Sequence, residues 1–140
     1  MKIVYLVRHA EAISEDVGVE DFKRMLSPRG VQQAQIMSSR LRHKGIAPDL
    51  FIASPADRAL ETAHLFADQL EYPIHRILLH EAIYATQDSP LPAILRALPE
   101  IYQSVIIFGH DPTLTECASV LMHDADIELR PAGVVGISLD

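Results

Sequence analysis

The residues in this 140-residue chain whose types suit chemistry are Arg8, His9, Arg58, Glu81 and His110. Together they suit phosphate. Arginine keeps its charge near neutral pH and presents planar, paired N–H donors that match phosphate oxygens. Arg8 and Arg58 are therefore expected to grip a phosphoryl group bidentately. A neutral imidazole is a competent nucleophile, so His9 is expected to attack phosphorus and carry the group as a phosphohistidine. His110, protonated or as an N–H donor, would stabilise charge on the transferring oxygens. Glu81 would protonate the leaving group and then help water attack the phosphoenzyme, given a pKa raised by its surroundings. In-line phosphoryl transfer asks mainly for positioning and electrostatics, and this set supplies both without a metal. Each residue alone has a plainer reading: a solvated strand end for Arg8-His9, an exposed helix start for Arg58, a turn for Gly109-His110, a surface carboxylate for Glu81. Their joint placement decides between the two.

That placement comes from the elements around them. Near-continuous apolar runs predict strands at Ile3–Val7, Leu50–Ala53, Ile74–Leu79, Val105–Phe108 and Val134–Leu139, the pattern of strands covered on both faces. Ser27-Pro28, Ser54-Pro55, Ser89-Pro90 and Asp111-Pro112 each put a capping oxygen before a proline, which predicts helix starts. Apolar stripes follow: Ala34, Met37 and Leu41; Ala59, Ala63, Phe66 and Leu70; Leu91, Ile94, Leu95 and Leu98; Leu114, Cys117, Ala118 and Leu121. Gly45 and Pro99 are expected to end the first and third helices. Strand and helix in alternation predict an α/β fold, a mostly parallel central sheet with helices on both faces, in a single domain spanning 1–140. Ligands of open α/β sheets bind beyond the carboxyl ends of the strands, where Arg8-His9, Ser54 with Arg58, Glu81 and Gly109-His110-Asp111 all fall. Helix N-termini pointing the same way add partial positive charge, so this edge is built for an anion.

Composition narrows the function classes. A formal net charge of −7 argues against general affinity for nucleic acid, and no basic run offsets it. The opening run MKIVYLV is too short for an export signal, and no segment approaches the ~20 apolar residues of a membrane span. A cytoplasmic protein without membrane or nucleic-acid partners is expected, and a monomer by default. The lone Cys117 sits at helical spacing between Leu114 and Leu121 and reads as a buried structural thiol. His43 and His123 fall near predicted helix C-termini, His64 within a helix, and His75 and His80 around a strand. None has convincing zinc-ligand spacing, so no metal and no cofactor are expected.

Val7-Arg8-His9-Ala10-Glu11 resembles the first signature of the histidine phosphatase (phosphoglycerate mutase-like) superfamily, with alanine where glycine is usual. Ser54-Pro55-Ala56-Asp57-Arg58-Ala59-Leu60-Glu61-Thr62-Ala63 is similar to its second signature, and Gly109-His110-Asp111-Pro112-Thr113-Leu114 to its third. The stretch from Asp21 to Gly30 looks like the one preceding the first helix of SixA-type phosphohistidine phosphatases. The resemblance implies a three-layer α/β sandwich, a phosphohistidine intermediate on His9, and phosphate binding by Arg8, Arg58 and His110. It also implies an open site able to admit a protein segment, such as a histidine-containing phosphotransfer domain. Glu81 matches the family's acid only by position, and Asp111 or Asp88 are alternatives. Arg24 is a further candidate for the pocket, reaching in from the long loop between Ala10 and Leu26. A broad-specificity phosphomonoesterase, a phosphoglycerate-type mutase and a non-catalytic phosphate-reading module are the competing readings. A mutase must shield its phosphoenzyme from water, and apart from that one loop the connections are short.

Overall fold

A computed structural model describes residues 2–14, 18–85 and 90–139. The chain runs β1 (Lys2–Arg8), a 3-10 turn (Asp21–Lys23), α1 (Pro28–His43), β2 (Leu50–Ala53), α2 (Asp57–Leu70) and a second 3-10 turn (Ile74–Arg76). It continues through β3 (Leu78–Leu79), α3 (Ala82–Ala85), α4 (Leu91–Ala97), β4 (Ser104–Gly109), α5 (Thr113–Met122) and β5 (Val134–Leu139). The five strands form one sheet in the order β3-β2-β4-β1-β5. All neighbours are parallel except β5, which pairs antiparallel with β1.

The apolar sequence of the central strands explains the layering. Every residue of β2 is buried, as is β4 from Val105 to Gly109, because helices cover both faces. Along β1 the side chains alternate. Val4 and Leu6 join Ile94, Leu95, Leu114 and Cys117 from α4 and α5 in one core. Val7 joins Ala34 and Leu41 of α1 and Ala63 and Phe66 of α2 in the other. Phe108 anchors the second core, with ring centroids 5.6 Å from Phe51 and 5.2 Å from Phe66. Cys117 is a free, buried thiol within the first.

Three expectations change. The segment Ile74–Leu79 is a strand only at Leu78–Leu79. Ahead of it, Arg76 N–H donates to the Pro73 carbonyl and Ile77 N–H to that of Ile74, so the backbone is satisfied by a local turn. Short β2 offers β3 only Ile52 and Ala53 as ladder partners. Ser54-Pro55 does not cap α2, which starts at Asp57 after Ala56, because the Ser54 hydroxyl is engaged elsewhere. The cap position of α5 is Pro112 and the first helical residue Thr113, so Asp111 stands one residue further out, its Oδ1 still accepting from the Thr115 N–H. Ser27 caps α1 as expected, accepting from Gly30 N–H at 3.0 Å. Gly45 follows that helix at φ +74. Ser89, Asp88 and Asp140 lie outside the described residues.

The long loop after β1 is stitched at its base. Ser27 N–H donates to the Glu11 carbonyl (2.9 Å), Ile13 N–H to that of Met25 (2.9 Å), and Ala12 bridges Leu26 in antiparallel fashion. Gly30 makes this possible, since a side-chain carbon there would overlap the carbonyl oxygen of Glu11. Gly30→Ala is expected to destabilise the protein by about 1–3 kcal/mol, the usual cost of overpacking, read as a lower denaturant midpoint at unchanged slope. An unaltered midpoint would show that α1 can back away from the loop at no cost.

Candidate active site

Parallel pairing brings the distant motifs side by side. Arg8 ends β1 opposite Gly109 at the end of β4, and the His9 N–H continues the ladder onto the Gly109 carbonyl (3.0 Å). His9 and His110 therefore leave adjacent strands as neighbours, with ring centroids 5.2 Å apart. On the other side of β4, Ser54 N–H donates to the Phe108 carbonyl, so β2 delivers Ser54 and the first turn of α2, with Arg58, to the same crevice.

A hydrogen bond to a carbonyl fixes the tautomer of His9, and a hydroxyl engages His110. His9 Nδ1 lies 2.7 Å from the Ala10 carbonyl oxygen. A carbonyl can only accept, so Nδ1 carries the proton and the Nε2 lone pair is left free. The Ala10 peptide is itself held, its N–H donating to Thr62 Oγ1 from α2 (3.1 Å). Ala10, standing where the family's first signature has glycine, buries its methyl in the second core. His110 Nε2 lies 2.8 Å from Ser54 Oγ, which already accepts from the Ala56 N–H. With the Ser54 proton in the bond to Nε2, His110 carries its own on Nδ1.

Three buried nitrogens in this crevice find no hydrogen-bond partner among the described residues: Arg8 Nε, Arg58 Nε and His110 Nδ1. Buried polar atoms are nearly always satisfied, and an unmade bond costs about 1–3 kcal/mol. Two arginine N–H donors and the His110 ring nitrogen beside a free imidazole lone pair make a cradle for an anion. The rest of each arginine is tied down. Arg8 Nη1 donates to the Leu129 carbonyl (3.0 Å), and its Nε lies 3.8 Å from Asp111 Oδ2. Arg58, only 6 % exposed, donates from Nη1 to the Asp21 carbonyl (2.7 Å) and from Nη2 to Asp21 Oδ2 (3.1 Å). The bidentate grip expected of both arginines is thus narrowed to the edge that includes Nε.

Burial, reinforced by the neighbouring arginines, holds His9 down at a pKa of about 4 against the ordinary 6.5; the bond to Ala10 opposes this only in part. Burial and the charge on His9 and Arg58 bring His110 to about 3. Both rings are neutral at pH 7, so His110 acts as an N–H donor rather than an imidazolium. The acid limb of kcat/KM, which reports the free enzyme, is expected near pH 4. Measured with a substrate whose own phosphoryl ionisation is known and divided out, a limb at 6.5 would contradict this burial.

Of the other candidates, Arg24 does reach the site. Its Nε and Nη2 donate to Asp21 Oδ1, its Nη1 to the Ile13 carbonyl, and its charge bears on both histidines. Glu81 is exposed, and its carboxylate makes no hydrogen bond or ion pair among the described residues; only its main-chain carbonyl is engaged, accepting from the Tyr84 N–H (3.0 Å). Asp111 is engaged by Thr115 and Arg8. Sequence reasoning missed Ser54 as the partner of His110. It also missed Asp21, and Tyr84, whose ring centroid lies 5.7 Å from that of His110. Among the described residues no group of three or more histidines, cysteines and carboxylates is placed to hold a metal ion. No helix among them is long and apolar enough to cross a membrane. A cleft of about 650 Å³ opens at the opposite end of the strands, around Lys2, Arg96, Tyr102 and Leu139, and holds no histidine.

This crevice, with two histidines and two arginines at the carboxyl ends of β1, β2 and β4, is that of a phosphate-handling α/β protein. The chain belongs to the histidine phosphatase superfamily (branch 1), whose family model matches residues 4–115. It is 36% identical over 89 residues to the mitochondrial serine/threonine-protein phosphatase Pgam5 of Drosophila ananassae, a match covering 64% of this chain. The chain spans only about 29% of the length of that relative. The fold is that of SixA from Agrobacterium tumefaciens (TM-score 0.86, 24% identity, 96% of this chain and 90% of that one). It is also that of the protein histidine phosphatase SixA complexed with tungstate (TM-score 0.88, 23% identity, 99% and 88%).

Proposed function

We propose that this protein is a phosphatase that forms a covalent phosphohistidine on His9 and prefers phosphohistidine in a protein as its substrate. The observation that carries the reading is the set of unpartnered buried donors around the free Nε2 of His9. In the first step the Nε2 lone pair forms a bond to phosphorus. The bond from phosphorus to the leaving nitrogen breaks, and its electron pair stays with the leaving group, which takes up a proton. Arg8 Nε, Arg58 Nε and His110 Nδ1 donate to the equatorial oxygens as their charge grows. Water then attacks phosphorus from the vacated side, loses a proton to solvent, and the electron pair of the breaking P–N bond returns to Nε2.

The carboxylates favour a nitrogen leaving group. Asp21 and Asp111 are ion-paired, and the Glu81 carboxylate has no hydrogen bond or ion pair among the described residues, so none is poised as an acid. Departing imidazole is a far weaker base than alkoxide and needs less help. Without a general acid, a phosphoserine ester forgoes the roughly 10²–10⁴-fold that one supplies.

The test offers a phosphohistidine-bearing phosphotransfer domain and a phosphoserine peptide to the protein in the presence of EDTA. A preference of about 10²-fold or more for phosphohistidine in kcat/KM is expected. Equal rates would move the substrate to phosphoesters and put an acid outside the described residues, while tight binding without turnover would make the chain a phosphate-reading module.

A further inference from the structure

One residue outside the three signature motifs bonds to two arginines and a tyrosine around the site. Asp21 opens the 3-10 turn of the long loop. Its main-chain carbonyl and its Oδ2 together accept both terminal nitrogens of Arg58. The same Oδ2 accepts from the Tyr84 hydroxyl at 2.8 Å, while Oδ1 accepts from Arg24 Nε (3.1 Å) and Nη2 (2.9 Å). Tyr84 in turn lays its ring 5.9 Å from the Arg58 guanidinium and packs edge-on against Phe22. Four acceptances saturate the carboxylate, and bonds from Tyr84, Arg24 and Arg58 hold it well below the usual carboxylate range, at about 2.

An anion touching a phosphate-binding arginine has two possible meanings. It either stands in for phosphate and competes with it, or braces the arginine for phosphate. The edge it uses decides between them. Asp21 takes the outer edge of Arg58, formed by Nη1 and Nη2, and leaves Nε buried without a partner. A competitor would satisfy the donor that phosphate needs; a brace leaves it open and fixes its direction.

We propose that Asp21 is a positioning residue which, clamped on the outer edge of Arg58 and tied to Tyr84 and Arg24, aims Arg58 Nε into the phosphoryl site. The proposal rests on Arg58 being a phosphate ligand and assigns to the loop a part in assembling the site. Losing the clamp frees the guanidinium to rotate, so ligand affinity falls although no ligand contact is removed. Losing a charge-assisted hydrogen bond of this kind is worth about tenfold to a hundredfold.

The experiment compares wild type with Asp21→Ala, Asp21→Asn and Tyr84→Phe. The Nε–H resonance of Arg58 in ¹⁵N-labelled protein, assigned by its loss in Arg58→Lys, reports the clamp whether or not the protein turns over any substrate. Calorimetry with inorganic phosphate reports the consequence. We expect Asp21→Ala to move or broaden that resonance and weaken phosphate binding by about tenfold to a hundredfold, raising KM more than it lowers kcat. Asp21→Asn, which keeps an acceptor, is expected to recover part of the loss, and Tyr84→Phe to cause a smaller one. An unmoved resonance in Asp21→Ala would overturn the proposal, as would a moved resonance with unchanged phosphate affinity. Tighter phosphate binding would make Asp21 a competitor instead. Wild-type protein that binds no phosphate, with the resonance still sensitive to Asp21, would locate the failure in the functional reading rather than in the clamp.

Discussion

His9→Ala is expected to reduce turnover by on the order of 10⁶-fold, the scale seen when a covalent nucleophile is removed. No other side chain at the site is set to replace it. His110 is the nearest imidazole, but its Nε2 is engaged by Ser54 and its Nδ1 is buried. The fold should not suffer, because the His9 ring bonds only to the adjacent Ala10 carbonyl. Its stability should even become less sensitive to acid. The folded protein keeps His9 at about 4 while the unfolded chain protonates it near 6.5. Between those values the unfolded state binds more protons, so His9 lowers stability as pH falls from 6.5 towards 4. Removing it removes that contribution. The checks are phosphate release, trapping of an acid-labile, base-stable phosphoprotein with wild type alone, and denaturation at pH 7 and pH 5. A variant retaining a tenth of wild-type turnover would exclude His9 as the nucleophile.

Arg58→Lys carries the second large effect, a loss of about 10²–10³-fold in kcat, the range for removing one preorganised donor to the transition state. Lysine keeps the charge but not the planar fork, which here does two things at once: its outer edge holds Asp21 and its Nε stays free for the ligand. A single ammonium cannot do both. Because Arg58 is buried in the first turn of α2, solvent cannot supply the missing donor. Steady-state kinetics with a good substrate check this. Retention of more than about a tenth of kcat would mean that charge alone matters, and Arg58 would be a general electrostatic aid rather than a donor.

The sequence made the strand-end residues legible because they sit at fixed offsets from patterns governed by local physics. Arg8-His9 and Gly109-His110 follow buried apolar runs, and Arg58 follows a Ser-Pro turn. Any α/β sheet collects such positions at one edge, so their convergence did not require the strand order. What was hidden depended on that order or on loops. Ser54 reads as a helix cap until β2 and β4 are known to be neighbours, which places it against His110. Asp21 lies in a stretch with no periodicity, and Tyr84 sits between apolar residues where it reads as core. Their contact spans two connections. Glu81 was chosen only for following the third strand, a cue that carries no information on where the carboxylate points. The Ile74–Leu79 run shows the limit of periodicity: its apolar residues suit a strand, but Ile74 is half exposed and the backbone closes into a turn.

The stitched base of the long loop bears on how such a protein can change over generations. Its two arms are joined by the Ala12–Leu26 bridge and by bonds from Ser27 and Ile13, and its returning arm carries Asp21 and Arg24. Added length in the loop would leave the bridge at its base in place, but the arm carrying Asp21 would have to keep its hold on Arg58. Doubling a flexible loop costs only about 0.6 kcal/mol in closure entropy. A change of loop length that spares both the bridge and the Asp21–Arg58 contact leaves the residues at the strand ends where they are.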